Sequence, residues 1–276
     1  MMPFAMPAPI SRPALFDPLR VVRLGSASLE RLSREPEKTS RVHSVFDRAV
    51  NVLWRDGRML TLHGPGPLAA PFAVGLERLP PRETMAPGMP IGNINFDWRG
   101  AESVALEMPQ GPLGFSVETL PERAGAQALR SPAGARALQA LGRGIAAGDT
   151  RAFADAACAL VGFGEGLTPA GDDCVVGALA AVQRLSPAWL STHAAHPDRL
   201  AEAARTRTTD LARDFLLEAL DGRFAEPVLA LLTAPTDDVA GKAAGRLLSM
   251  GASSGADTLC GIRLACQALE ARVTQS

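Results

Sequence analysis

The sequence predicts an α+β fold, in which a β-rich N-terminal barrel or sandwich is followed by an all-helical C-terminal part. From residue 19 to about 117, apolar residues fall in short β-rich runs separated by Gly and Pro, which is typical of strands closed by turns. After about residue 121, alanine and leucine recur at helical spacing. These patterns predict a flexible proline-rich tail over 1–18, a β-rich domain over 19–122 and a helical domain over 123–276.

The first domain is predicted to contain a series of short strands. Asp56-Gly57 predicts a hairpin turn, because this dipeptide suits the turn that joins two antiparallel strands. The β-rich runs cover residues 21–24, 41–46, 49–54, 59–62, 91–98, 103–108 and 113–117.

The second domain is predicted to be helical throughout. Gly222 follows Asp221 and is expected to end a helix, because glycine adopts the left-handed conformation found just after helix ends. The helical spacing covers residues 124–146, 151–162, 172–185, 197–220, 226–233, 237–249 and 256–272.

Composition excludes several classes of function. The formal net charge is −1 and there is no tyrosine, which argues against a nucleic-acid surface that needs clustered basic residues and stacking aromatics. No run approaches the roughly 20 apolar residues of a membrane span, and the N-terminus lacks the pattern of a secretory signal. We therefore expect a cytoplasmic protein whose four cysteines are buried, reduced thiols.

The most informative feature of the chain is a loop-and-helix pattern that occurs twice, 84 residues apart. Each copy is a loop rich in glycine and hydroxyl side chains that leads into an apolar helix with an aspartate in its first turn. The matched positions are Gly171, Asp173 and Gly177 in the first copy and Gly255, Asp257 and Gly261 in the second. Because glycine is unfavourable inside a helix, Gly177 and Gly261 predict close backbone approach. The two helices are expected either to pack against each other or to cross a neighbour tightly, which would bring both loops to one place.

These loops predict a composite site for a small anionic substrate. A helix start leaves backbone N–H groups unpaired and carries a partial positive charge, and glycines let that backbone approach a ligand. The candidate substrate-binding residues in the two loops are Gly164, Gly166, Thr168, Gly171, Ser253, Ser254, Gly255 and Asp257.

Asp172 and Asp173 are the candidate catalytic carboxylates. One of them is explained by capping of the helix start, but capping does not need a second adjacent carboxylate. Two further roles stay open: the pair could bind Mg²⁺ that bridges to a phosphate, or hydrogen-bond an amide or hydroxyl of the substrate. No cofactor is otherwise indicated.

A third candidate segment, residues 205–210, is expected to introduce the helix over 211–220. Hydroxyls and arginines at a helix start suit phosphate or carboxylate binding, so Arg207 is a further candidate catalytic residue. Capping with solvent-facing arginines is the alternative. The candidate binding residues in this segment are Thr206, Thr208 and Thr209, and His43 is added because it lies in an unusually polar strand.

Three motifs together resemble the bacterial AllH family, whose informative member is the AllH subunit of oxamate carbamoyltransferase from anaerobic allantoin breakdown. The resemblance covers most of the chain from about residue 40 to 270. The motifs are His43-Ser44-Val45-Phe46-Asp47-Arg48-Ala49-Val50-Asn51, Gly164-x-Gly166-Leu167-Thr168-Pro169-x-Gly171-Asp172-Asp173 and Ser249-x-Gly251-x-Ser253-Ser254-Gly255-x-Asp257.

The resemblance implies a subunit of a carbamoyltransferase that converts oxalurate and phosphate to oxamate and carbamoyl phosphate, or the reverse. It also implies a hetero-oligomer with other carbamoyltransferase subunits, and it carries over no catalytic residues. In this chemistry Arg207 or backbone N–H groups would stabilise the developing oxyanion.

Two alternatives stay open. One is a non-catalytic subunit that binds an anion and assembles with partners, because no obvious nucleophile or general base is present. The other is a Mg²⁺-dependent hydrolase of the ADP-ribosylglycohydrolase type, since Gly255-Ala256-Asp257-Thr258 resembles that family's Gly-x-Asp-Thr motif.

Overall fold

The chain folds into two compact units, one ending at Leu106 and the other beginning at Glu107. The computed structural model describes residues 18–33, 40–54, 57–91, 94–122, 127–187 and 195–274. A half-barrel of strands comes first and helices follow, with 52% of residues helical and 16% in strands, which confirms the α+β class. Residues 1–17, in the expected tail, and 123–126, beside the expected boundary, lie outside the described residues.

The first unit is built around one sheet, whose described strands run in the order β6-β2-β3-β4-β5-β1-β7, with β8 also paired to β1. Neighbours from β2 to β4 are antiparallel, whereas β4 and β5 are parallel. The strands are β1 (Leu19–Gly25), β2 (Ser40–Val45), β3 (Ala49–Leu53), β4 (Met59–His63), β5 (Ala73–Leu76), β6 (Pro90–Ile91), β7 (Phe96–Asp97) and β8 (Glu102–Val104), and the helix α1 (Ser26–Ser33) follows β1.

Alternation of side chains explains the central strands. Val50 and Val52 of β3 point to one face, where they pack with Leu60 and Leu62 of β4 and with Val74 of β5. All five side chains are almost completely buried. The β-rich runs of the sequence therefore locate β1 to β4, whereas β5 and α1 were not predicted.

The strand predicted over 113–117 is wrong. The segment is irregular and leads into a 3₁₀ turn, Val117–Thr119. The Ser116 side chain accepts a hydrogen bond from the Glu118 N–H at 3.3 Å, and its own N–H donates to Asp237 at 2.8 Å. These side-chain bonds replace the ladder bonds of a strand. In the predicted hairpin turn, Asp56 lies outside the described residues.

The second unit is helical. Residues 107–122, which the sequence pattern placed with the strands, belong to it; Arg184 donates to the carbonyls of Pro109 and Pro112 at 2.8 and 2.7 Å. The helices are α2 (Gln127–Arg130), α3 (Pro132–Ala147), α4 (Thr150–Leu160), α5 (Ala170–Leu185), α6 (Ala195–Arg207), α7 (Asp210–Leu220), α8 (Glu226–Leu232), α9 (Asp237–Leu248) and α10 (Ser254–Thr274).

Helix ends follow capping chemistry. Asp149 caps α4 by accepting from two backbone N–H groups, at 3.0 and 2.9 Å. Gly222 has φ +81° just after α7, as its position after Asp221 predicted. The helix predicted over 197–220 is interrupted, because Thr209 caps the start of α7.

The helix α5 lies at the centre of the second unit. All residues from Ala170 to Val182 are buried, as expected for a helix that is apolar on every side. None of the described helices combines the length and apolar character that crossing a membrane requires.

Candidate functional site

The two helices of the repeated pattern pack directly against each other through their glycines. A Cβ on Gly177 would lie 2.0 Å from the Thr258 carbonyl oxygen, and one on Gly261 would lie 1.9 Å from the Cys174 carbonyl oxygen. The two contacts are reciprocal, because the acceptors Cys174 and Thr258 are themselves matched positions of the two copies, 84 residues apart. Close packing of α5 and α10, predicted from the two glycines, is confirmed, and it places the two helix starts side by side.

The second residue of each helix is also a packing glycine. A Cβ on Gly171 would lie 2.1 Å from the Leu160 carbonyl oxygen at the end of α4. A Cβ on Gly255 would lie 1.9 Å from the Leu247 carbonyl oxygen near the end of α9. The repeat therefore includes the end of the preceding helix, and both glycines serve the approach of one backbone to another.

Backbone N–H groups in the first turns of α5 and α10 already have partners. Gly171 donates to the Phe163 carbonyl at 2.8 Å, and Gly255 donates to the Met250 carbonyl at 3.1 Å. The next two N–H groups of each helix donate to the carbonyl of the residue just before it, Pro169 or Ser253. These three N–H groups of each helix, which the sequence suggested as donors to an anion, are thus used within the fold.

Asp172 links three segments of the second unit. Its side chain is 1% exposed; one oxygen accepts from the Gly162 N–H at 2.9 Å and the other from the Thr208 hydroxyl at 2.5 Å. Neither contact caps α5, so capping does not explain this residue. Burial raises the Asp172 pKa from 3.8 to about 6, although both hydrogen bonds and the charge of Arg207 lower it.

Asp173 lies beside the contact between the two loops. The Thr168 and Ser254 hydroxyls are 2.7 Å apart, so one donates to the other across the repeat. Asp173 is 7% exposed, and among the described residues its Oδ2 has no hydrogen-bond partner. Burial raises the pKa of Asp173 well above its usual value; the Ser254 and Thr168 hydroxyls lower it, and the charges of Asp257 and Asp172 raise it.

Asp257 is the counterpart of Asp173 in the second copy and is completely buried. The pair brings two carboxyl groups together where α5 and α10 begin. Like charges in a buried place cannot both ionise at ordinary cost, so at least one of these carboxyls favours its neutral form.

The loops above these carboxyls are exposed. Gly164 and Gly166 have φ of +121° and +93°, a conformation that favours glycine. A Cβ on Gly166 would meet nothing within 4 Å, so this glycine faces open space. Ser253 is likewise exposed on the other loop, beside the partly buried Ser254.

The segment 205–210 is arranged differently from the prediction. Arg207 is the last residue of α6 rather than part of a helix start, and its side chain is exposed. Thr206 donates to the Glu202 carbonyl at 2.8 Å within the same helix. Of the side chains in this segment, those of Thr208 and Thr209 hydrogen-bond to residues of the repeat. Thr208 donates to Asp172. The Thr209 hydroxyl donates to the Leu167 carbonyl at 2.5 Å and accepts from the Ala212 N–H at 3.1 Å.

His43 belongs to the first unit, where it is partly buried and its Nδ1 lies 3.2 Å from the Ser44 hydroxyl. Behind Ser44 is a polar chain that the sequence did not reveal. The Asn51 amide donates to Ser44 at 3.0 Å, and the Thr61 hydroxyl donates to Asn51 at 2.8 Å. Only the polarity of these three strand positions could have signalled it.

Gly162 is a second residue that sequence reasoning missed. It has φ +73°, and a Cβ there would lie 2.1 Å from the Arg207 carbonyl oxygen. This close approach holds the loop before α5 against the end of α6. In the sequence, the only sign of this close approach is the presence of a glycine just before the predicted loop.

Within the described ranges, no group of three or more His, Cys, Asp or Glu side chains is placed to hold a metal ion. Both oxygens of Asp172 accept hydrogen bonds within the fold, and binding of Mg²⁺ by Asp172 and Asp173 stays a prediction. The four cysteines are free thiols; Cys174 and Cys266 are buried, whereas Cys158 and Cys260 are only partly so.

Comparison with known protein families gave two matches. Residues 160–266 match the model described as oxamate carbamoyltransferase subunit AllH. Residues 20–98 match the model of the AllH family N-terminal domain. Comparisons with curated proteins and with solved structures gave no match.

Proposed function

We propose that this chain, which belongs to the AllH family, is a subunit of a carbamoyltransferase related to oxamate carbamoyltransferase. In this proposal it binds a small anionic substrate between the loops that precede α5 and α10. Phosphate, carbamoyl phosphate, oxalurate and oxamate are the candidate ligands, and the other subunits of the enzyme are its partners.

The observation that carries the proposal is the hydrogen bond between the Thr168 and Ser254 hydroxyls, at 2.7 Å. It joins the two copies of the repeat at a partly buried position next to the exposed loops. A hydroxyl donates as well as accepts, so both can turn to donate to an oxyanion. The exposed Ser253 adds a further donor next to Ser254.

Thermal unfolding with each candidate anion tests this proposal. A ligand at about 100 times its Kd stabilises the folded state by about 2.7 kcal/mol, which raises the melting temperature by several degrees. We expect Thr168→Val to remove this shift. Thr233→Val is the matched control, because the Thr233 hydroxyl donates only to a carbonyl of its own helix, at 2.8 Å.

No shift with any of the four anions, or an equal shift in Thr168→Val, contradicts the proposed site. The test needs no turnover, so it applies to the isolated chain.

A second candidate is a subunit that binds the anion but catalyses nothing by itself. Arg207 supports it, since this proposed oxyanion-stabilising residue ends α6 rather than starting a helix. Carbamoyl transfer by the chain alone would rule it out, whereas activity only after addition of partner subunits favours it.

A further inference from the structure

At the proposed anion site, most backbone N–H donors of the helix starts are already used, whereas several carboxyl groups lie close by. The second, third and fourth N–H groups of α5 and of α10 donate to carbonyls of the fold. Three carboxyl groups, Asp172, Asp173 and Asp257, are buried beneath the two loops. An oxyanion held next to ionised carboxylates would be repelled, so the proposed function requires at least one of these groups to carry a proton.

Asp172 is not the group that meets a ligand. Its two oxygens accept hydrogen bonds from the Gly162 N–H and the Thr208 hydroxyl. It is also 1% exposed, so a ligand would have to displace one of these two partners to reach it. Its contacts are all within the fold, and it positions the loop.

Asp173 is different because its Oδ2 is buried without a hydrogen-bond partner among the described residues. An ionised oxygen in that position is costly, whereas a protonated one is neutral and offers an O–H donor. Burial, the largest influence, and the charges of Asp257 and Asp172 raise the pKa of Asp173, whereas the Ser254 and Thr168 hydroxyls lower it. The nearby Cys174 thiol, whose pKa is also raised, adds no positive charge.

We propose that Asp173 is a neutral hydrogen-bond donor to a phosphate oxygen, reached when the ligand replaces the hydrogen bond between Thr168 and Ser254. The phosphate then accepts from both hydroxyls and from the Asp173 carboxyl. This proposal rests on the proposed function. The neutral Asp173 carboxyl would allow a site with several acidic side chains to bind an anion.

Titration calorimetry with inorganic phosphate distinguishes a neutral donor from an ionised carboxylate. Asn is close in shape and keeps an N–H donor, so Asp173→Asn is expected to retain the wild-type Kd within about threefold. Asp173→Ala loses the donor and is expected to weaken phosphate binding about tenfold or more. Asp238→Asn, at an exposed ion pair of α9, is the control and leaves the Kd unchanged.

Infrared spectroscopy gives an independent reading that needs no ligand and does not depend on Asp173→Ala folding. The wild-type chain at neutral pH is expected to show a carboxylic-acid C=O band that is missing from Asp173→Asn.

The possible failures can be told apart. If the wild-type chain binds phosphate but Asp173→Asn loses binding, or if the infrared band is missing, the neutral-donor role is overturned while the anion site stands. If the wild-type chain binds no phosphate, both this role and a phosphate site at these loops are overturned.

Discussion

The contact between α5 and α10 makes Gly261→Ala a direct test of the helix pairing. A Cβ at this position would lie 1.9 Å from the Cys174 carbonyl oxygen and 2.9 Å from the Ala178 nitrogen. Ordinary contact begins at 3.4 Å, so the two backbones would have to separate by roughly 1.5 Å in a close-packed interior. Neither obstacle is a flexible side chain that could turn away.

The expected loss of stability in Gly261→Ala follows from two opposing contributions. Alanine is favoured over glycine inside a helix by about 1 kcal/mol, whereas overpacking of a core costs about 1–3 kcal/mol. Gly245→Ala in α9 is the matched control, because a Cβ there meets nothing within 4 Å. Both variants gain the same helix propensity, so the difference between them isolates the clash and is expected to be about 1–3 kcal/mol.

Thermal unfolding of the two variants side by side is the assay. For a chain of this size about 2–4 °C corresponds to 1 kcal/mol, so Gly261→Ala should melt several degrees below Gly245→Ala. Equal melting temperatures would refute the close approach of the two helices. Loss of phosphate binding in a folded Gly261→Ala chain would in addition show that the spacing of the helix starts matters to the ligand.

Two further predictions concern the carboxyl of Asp172. Because folding raises its pKa from 3.8 to about 6, the folded chain holds this proton more tightly, and its contribution to stability is lost as pH rises from about 4 to about 6. Urea unfolding across that range should show a shallower fall for Asp172→Asn, and an unchanged slope would contradict the assignment. Thr208→Val removes one hydrogen bond to this buried group and should cost about 1–3 kcal/mol, whereas Thr206→Val should cost under about 0.5 kcal/mol; equal urea midpoints would count against the contact.

Features set by local residue patterns could be predicted from the sequence. The helix-interior glycines at 177 and 261 predicted close backbone approach, and pairing of α5 with α10 is the one of the two expected arrangements that the structure shows. The α+β order followed from the change in apolar spacing near residue 120. The family was indicated by the Gly-Leu-Thr-Pro-x-Gly-Asp-Asp string, which lies within the matched residues 160–266.

The site predictions that the structure does not match concern residues whose partners are distant along the chain. Asp172 looked like a cap or a ligand because its partners, Gly162 and Thr208, are 10 and 36 residues away. Arg207 looked like part of a helix start because hydroxyls and arginines alternate around it, but the preceding helix extends to Arg207 and only Thr209 caps the next one. A first-turn N–H group is free only if no loop carbonyl lies close enough to accept from it. The residue types do not reveal where those carbonyls lie.

The glycine contacts also determine which motions are available to the helical unit. With backbone against backbone, no layer of side chains lies between α5 and α10 at the crossing that could change rotamer and let the helices slide. The two helices must move as one rigid body, so the conformational freedom needed for a ligand to enter lies in the exposed loops, residues 164–167 and 251–253. Amide hydrogens near Gly177 and Gly261 should be among the slowest to exchange, and those of the loops among the fastest.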